Sequence, residues 1–204
     1  MAKTGTGSKT GIIAGVIGAG LVLLLISAVL FGNSEVGSEF GEPTIEGVSL
    51  PPMPQNVSQD ASANGLTAPT LSGVDYSDTP VVIGDDGRAK GVVFLAHWCG
   101  NCQQEVPRVQ AWIDAGGDVE DVDLYSVTTS VNSGRPNYPP SAWLESEGWT
   151  VPVVRDDQAG SAHRAYGGGG FPYWVFTNSD GTVAMRVAGQ IQTPELVAIL
   201  ESLS

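Results

Sequence analysis

From residue 90 onward, apolar positions come in short runs separated by Gly, Pro, Asp and Ser, and their spacing alternates between strand-like and helix-like. "KGVVFLAHW" (90–98) is an aliphatic run that predicts a buried strand, and "CQQEVPRVQAWIDAG" (102–116) predicts a helix ended by Gly116 and Gly117. "VDLYSVTTSV" predicts a second buried strand, followed by a short helix in "PPSAWLESEG" that begins near Pro140. "VPVVRD" predicts another short strand, and "DQAGSAHRAYGG" a weak helix stopped by the glycine run 167–170. "PYWVFTNSDGTVAMRV" predicts two strands turning across Ser179-Asp180-Gly181, and "TPELVAILESL" a last helix with Thr193 as its cap and Pro194 in its first turn. Strands alternating with helices, closed by a hairpin, indicate an α/β fold whose mixed central sheet is flanked by helices.

The amino-terminal third reads differently. "GIIAGVIGAGLVLLLISAVLF" (11–31) carries no charge and is long enough to span a bilayer as a helix. Lys3 and Lys9 precede it and Glu35, Glu39, Glu42 and Glu46 follow. That asymmetry predicts a single-pass cell-membrane protein with residues 1–10 cytoplasmic and everything after the span extracytoplasmic. The run exceeds the apolar core of a signal peptide, and Ile26 stands where a cleavage site needs a small residue, so the span is expected to stay as an anchor. Residues 32–67, rich in Gly, Ser, Pro and acids, read as a flexible linker with too few apolar positions to offset ordering entropy. The α/β domain is therefore expected over 68–204.

The 204 residues include 9 basic and 22 acidic side chains, a formal charge of −13 that argues against nonspecific nucleic-acid binding. Two cysteines exclude a disulfide-dense secreted scaffold.

Those two, Cys99 and Cys102, fall at the junction between the first strand and its helix. In that position the first sulfur is expected to be exposed and the second turned into the helix. Amide donors and the positive helix end favour a thiolate at the first. Cys99 is then the attacking thiol and Cys102 the resolving one, exchanging through a mixed disulfide in either direction. An inert structural disulfide needs neither the helix start nor the aromatic neighbour Trp98. A closed zinc site wants four ligands, and beyond His97 the chain offers only His163, whereas copper accepts fewer. No resident metal or cofactor is expected.

The segment "FLAHWCGNCQQEVP" resembles the active-site stretch of membrane-anchored thiol:disulfide oxidoreductases of bacterial envelopes, which have the thioredoxin fold. Trp98, Cys99, Cys102, Glu105 and Pro107 match that pattern. "GGGGFPYWVFTNSDGTVAMRVAGQ", whose Pro172 comes 70 positions after Cys102, resembles the second signature of the family. The likeness covers about 68–204. It implies a thioredoxin-like domain in which the Phe171–Pro172 peptide is cis, lies beside the disulfide, and offers the Phe171 backbone to an extended substrate segment.

Residues around the thiols are candidates to modulate them. Trp98 is expected at the rim beside the sulfur. Glu105 is expected on a neighbouring helical face, either influencing proton release from Cys102 or merely solvated. Pro107 should bend the helix. His97 would stabilise a Cys99 thiolate as a cation and do little as a neutral outward ring. Trp98, Phe171, Tyr173 and Trp174 suggest an aromatic patch, with alternation sending one of the last two inward. The connection "VTTSVNSGRPNYPPSAW" is expected to overhang the site, and His163 to lie on a helix surface. Cytoplasmic thioredoxins carry a buried aspartate where this chain has Val93, and Gly100-Asn101 matches neither strongly reducing nor strongly oxidising relatives, so direction stays open. The expected function is thiol:disulfide exchange on exported client proteins, served by a membrane redox donor or acceptor. A noncatalytic or copper-delivery module and a peroxidase are the alternatives.

Overall fold

The computed structural model describes residues 39–204 together with Met1. The expected tail (1–10), membrane span (11–31) and first part of the linker lie outside the described residues. Among the described residues no helix is long and apolar enough to cross a membrane.

In chain order the elements are β1 (Thr44–Glu46), β2 (Gln59–Asp60), β3 (Thr70–Val74), β4 (Pro80–Ile83), β5 (Ala89–Leu95), α1 (Cys102–Asp114), β6 (Val122–Thr128), α2 (Pro140–Ser146), β7 (Val153–Arg155), α3 (Ser161–Ala165), β8 (Tyr173–Thr177), β9 (Val183–Ala188) and α4 (Thr193–Glu201). Six strands form the main sheet in the order β2-β9-β8-β5-β6-β7. β5, β6 and β7 run parallel, while β8 lies antiparallel to β5 and β9 to β8. A smaller antiparallel sheet, β1-β3-β4, was not foreseen.

Both faces of the main sheet are covered, so alternation divides each strand between two cores. Val92 and Phe94 of β5 join Tyr173 and Val175 of β8 on one face, against Leu71 and Ile83 of the small sheet and Ala162 and Tyr166 around α3. Val93 and Leu95 join Trp174 and Phe176 on the other, against Val106 and Val109 of α1, Trp143 of α2 and Leu196 and Leu200 of α4. Burying a side chain of this size contributes about 1.5–3 kcal/mol. Tyr173 and Trp174 are thus both buried, and neither belongs to a surface aromatic patch.

The expected linker is corrected over 39–67, which is part of the domain. Leu50, Met53 and Ala63 are buried, and the segment is laced to the sheet by backbone hydrogen bonds. The amides of Gly41, Leu50 and Met53 donate to the carbonyls of Asp156, Ala165 and Gly167, at 3.0, 2.8 and 2.8 Å. β2 then pairs with β9, opposing Asp60 to Arg186. Gly41 permits the close approach, because a Cβ there would sit 2.4 Å from the Arg155 carbonyl oxygen. At the far end the Glu39 carboxylate accepts from the Ser141 amide (3.1 Å) and hydroxyl (2.7 Å) at the start of α2.

Candidate active site

After β5 the chain turns through residues 96–101, and the Cys99 amide donates to the Ala96 carbonyl at 2.9 Å. Cys102 opens α1 one turn later, with no side-chain cap at Asn101 to occupy the first amides. Cys99 is half-buried and Cys102 is 0 % exposed, and both thiols are free. The Cys102 thiol donates to Cys99 and, with the amides of Cys102 and Asn101, holds the Cys99 pKa at about 6 against the opposing effect of burial. The same hydrogen bond, together with burial, pushes the Cys102 thiol far up.

At pH 7 Cys99 is accordingly roughly 90 % thiolate, whereas an ordinary thiol would be only a few per cent. Alkylation by iodoacetamide should rise with pH, reach half its plateau near pH 6 and label Cys99 alone. Stopped-flow alkylation followed by peptide mass mapping reads both, and a midpoint near 8.5 would contradict the geometry.

The Phe171–Pro172 peptide is cis, as the resemblance implied, and the Phe171 carbonyl oxygen lies 3.5 Å from Cys99 Sγ. Tyr138–Pro139 is cis as well, which the sequence reading did not foresee. Trp98 stands at the rim, half-buried, its ring edge-on to Phe171 at 6.1 Å. The connection from β6 to α2 does reach over this end of the domain. Trp98 Nε1 donates to the Ser130 carbonyl (2.7 Å), and the Arg135 guanidinium lies 5.0 Å from the centre of the indole.

His97 is corrected. It is 1 % exposed, its Nδ1–H donates to the Pro136 carbonyl at 2.7 Å, and Nε2 accepts from the Asn132 amide at 3.1 Å. An accepting Nε2 requires a neutral ring, and burial lowers its pKa further. It therefore pins the overhanging loop instead of stabilising a thiolate as a cation. With both nitrogens engaged, it has none to offer a metal shared with Cys99 and Cys102. Among the described residues no group of three or more His, Cys, Asp or Glu side chains is placed to hold a metal ion.

Glu105 is not a solvated acid. It is 1 % exposed, and its carboxylate accepts from Trp174 Nε1 (3.0 Å), the Ile191 amide (3.2 Å) and Arg108 Nη1 (3.1 Å). Burial raises its pKa despite these donors, and its charge disfavours ionisation of Cys102. Pro107 sits exposed within α1, which continues through it to Asp114. Trp143 is a buried anchor of α2, and at α4 the cap position is Gln192, with Thr193 the first helical residue.

His163 is the residue whose part the sequence reading missed. Its ring packs on Phe171 at 4.7 Å, and its Nε2–H donates to the Gly169 carbonyl at 2.9 Å, so it backs the loop that presents Phe171 to the thiol. Its place in the helix just before the glycine run was the only signal available.

No known family profile and no curated protein matches the chain. Solved structures do. The StoA protein of Bacillus subtilis is 21 % identical over 60 % of this chain and 89 % of its own, with a TM-score of 0.50. A thiol:disulfide interchange protein of the thioredoxin family from Chlorobium tepidum is 22 % identical, covering 68 % of this chain and 96 % of its own, at 0.55. A secreted disulfide oxidoreductase of Mycobacterium tuberculosis is 18 % identical, covering 65 % and 95 %, at 0.53. What these likenesses establish is the fold: this chain has the thioredoxin-like α/β architecture.

Proposed function

We propose that the chain is a membrane-tethered thiol:disulfide oxidoreductase acting on exported proteins, with Cys99 as nucleophile and Cys102 as resolving thiol. One observation carries the reading: two thiols three residues apart have been made opposite, Cys99 accessible with a pKa of about 6 and Cys102 buried and protonated. A structural disulfide has no need of that asymmetry.

The Cys99 thiolate attacks one sulfur of a client disulfide. The client S–S bond breaks, a bond to Cys99 forms and one client thiolate leaves. Cys102 then loses its proton and attacks Cys99 Sγ, releasing the second client thiolate and closing the Cys99–Cys102 disulfide. Two electrons pass to the client, and oxidation of a client dithiol is the same sequence reversed. With Val93 in the core at the position discussed above, the proton leaves Cys102 without an aspartate there to take it. Phe171, with its carbonyl at the sulfur, would pair with the client backbone, and Trp98 would border it.

The uncharged run 11–31 and the charge asymmetry around it support the tether, with the amino terminus cytoplasmic and the thiols outside. A reductase there needs electrons from a membrane donor, and an oxidase needs an acceptor. Equilibrating the full chain in detergent against glutathione buffers at pH 7 tests the reading. One reversible two-electron transition is expected, and its position assigns direction: near roughly −270 mV a reductase, near roughly −120 mV an oxidase. Failure of the reduced protein to exchange with any disulfide would refute the proposal.

A further inference from the structure

The chain carries 22 acidic side chains, yet none stands in the stretches that meet around the sulfurs and Phe171: 53–57, 96–104, 129–139, 168–172 and 188–192. Glu105 and Glu39, whose charges reach Cys102 and His97, are buried, as is Asp156 beside His163. Apart from the Cys99 thiolate, those stretches hold one formal charge, the guanidinium of Arg135 in the overhanging loop. We propose that Arg135 is a specificity-determining residue of the exchange reaction, binding a carboxylate that an exported client carries beside its reactive cysteine. The proposal rests on the thiol-exchange reading and adds to it the charge class of client that is preferred.

Arg135 differs from the other cations of the domain in being uncommitted. Arg88, Lys90, Arg108, Arg155 and Arg186 each bond a carboxylate, and Arg164 donates to the Ser161 hydroxyl. Among the described residues Arg135 has no carboxylate within ion-pair distance. It is exposed, and its guanidinium lies over the Trp98 indole, 5.0 Å from the ring centre. A guanidinium held over a ring by cation–π attraction keeps its N–H donors, fork-shaped for a carboxylate, available at its exposed edge.

The position of that cation is set by the two residues directly before the nucleophile. His97 Nδ1–H donates to the carbonyl of Pro136, the neighbour of Arg135, and Nε2 accepts from the Asn132 amide. The Asn132 carbonyl in turn accepts from the Arg135 amide at 3.1 Å. Trp98 holds the Ser130 carbonyl through Nε1 and lies under the guanidinium itself. His97 thus anchors the loop while Trp98 seats its cation at the rim of the site. A group pre-set in this way loses little conformational freedom on meeting a partner.

The acids elsewhere do not cancel it. At physiological ionic strength, exposed charges more than about 8 Å apart are largely screened, so a carboxylate arriving at the rim responds to Arg135 first. The acidic remainder of the surface disfavours its approach from any other side. Local and overall charge therefore predict opposite orders of reactivity: the net charge of −13 favours a basic client and Arg135 an acidic one.

The test gives the reduced full chain, in uncharged detergent at low ionic strength, three peptides of about ten residues. Each has a central cysteine disulfide-linked to 2-mercaptoethanol and flanked on both sides by Glu, Gln or Lys, and stopped-flow kinetics reads the rate of exchange. The Glu peptide should react about fivefold faster than the Lys peptide, with the Gln peptide between them, and about 0.5 M salt should bring the three together. Arg135→Gln should remove the acidic preference and Arg135→Glu should reverse it. Both peptides are read on the same protein, so any loss of folded material or of Cys99 reactivity lowers the two rates alike and leaves their ratio intact. A faster Lys peptide with the wild type, or a ratio unmoved by both variants, would overturn the proposal. If the wild type reacts with none of the three, the exchange reading itself falls.

Discussion

Cys102→Ser is expected to arrest the protein with its substrate covalently attached through Cys99 and to cut turnover by at least about 10³-fold, some 4 kcal/mol of barrier. Serine offers an O–H donor where the Cys102 thiol supplies its S–H to Cys99, so the first attack should remain fast and the alkylation midpoint should stay near 6. What is lost is the second attack, since oxygen cannot take over the mixed disulfide. Intact-mass spectrometry after reaction with a short peptide whose cysteine is disulfide-linked to 2-mercaptoethanol should find an adduct stable in the absence of added thiol. Cys102→Ala separates the two contributions: it also traps, but it removes the donor, and the Cys99 midpoint should rise. A reduced Cys102→Ser protein that forms no adduct would mean that Cys99 is not the nucleophile.

The second large effect concerns stability. Arg186 in β9 is 0 % exposed, and its guanidinium donates to the Pro51 carbonyl (2.7 Å), the Ser62 hydroxyl (3.0 Å) and the Asp60 carboxylate. Removing one partner of a buried ion pair leaves the other charge desolvated, so Asp60→Ala should cost about 3–5 kcal/mol, read from urea unfolding. Asp60→Asn keeps a hydrogen-bond acceptor and should cost less. Burial pushes the Asp60 pKa up, but hydrogen bonds from Ser62 and Arg186 outweigh it and the net shift is downward. A carboxylate depressed in the folded state contributes stability above its unfolded pKa, and that contribution drains away as pH falls below about 4. The gap between wild type and Asp60→Ala should therefore narrow in acid. A loss below about 1 kcal/mol at pH 7 would show that water reaches Arg186 in place of Asp60.

The elements from β5 to α4 were legible because both kinds of periodicity are strong there and because Gly and Pro punctuate them. Tyr173 and Trp174 misled for a specific reason: alternation states that neighbours face opposite ways, not that one face is wet, and here both faces are covered. The thiols were legible through their spacing at a strand-to-helix junction, and Phe171–Pro172 only through the resemblance. His97 was placed but misjudged and Glu105 was left between two roles, since their partners, Pro136, Asn132, Trp174 and Ile191, come from distant elements that no local pattern connects to them. The segment 39–67 was illegible because it is held mainly by main-chain hydrogen bonds and a few buried residues. Its composition, poor in apolar groups, is that of a chain that would not fold alone.

That segment also fixes an order of events during synthesis. Beyond the pairing of β1 with nearby β3, several of its tertiary partners stand far downstream: Ser141 is 102 positions from Glu39, and Arg186 is 126 from Asp60 and 135 from Pro51. At about 5–20 residues per second, the ribosome delivers Arg186 several seconds or more after Pro51. Throughout that interval Pro51, Asp60 and β2 lack the partners they find on β9, which is among the last parts of the domain to be made, although β1 can already pair with β3. The stretch from Pro51 to Asp60, among the first-made parts of the domain, is thus the part that must wait for its carboxyl-terminal end, and it is fastened only once Arg186 and Ala188 have been translated.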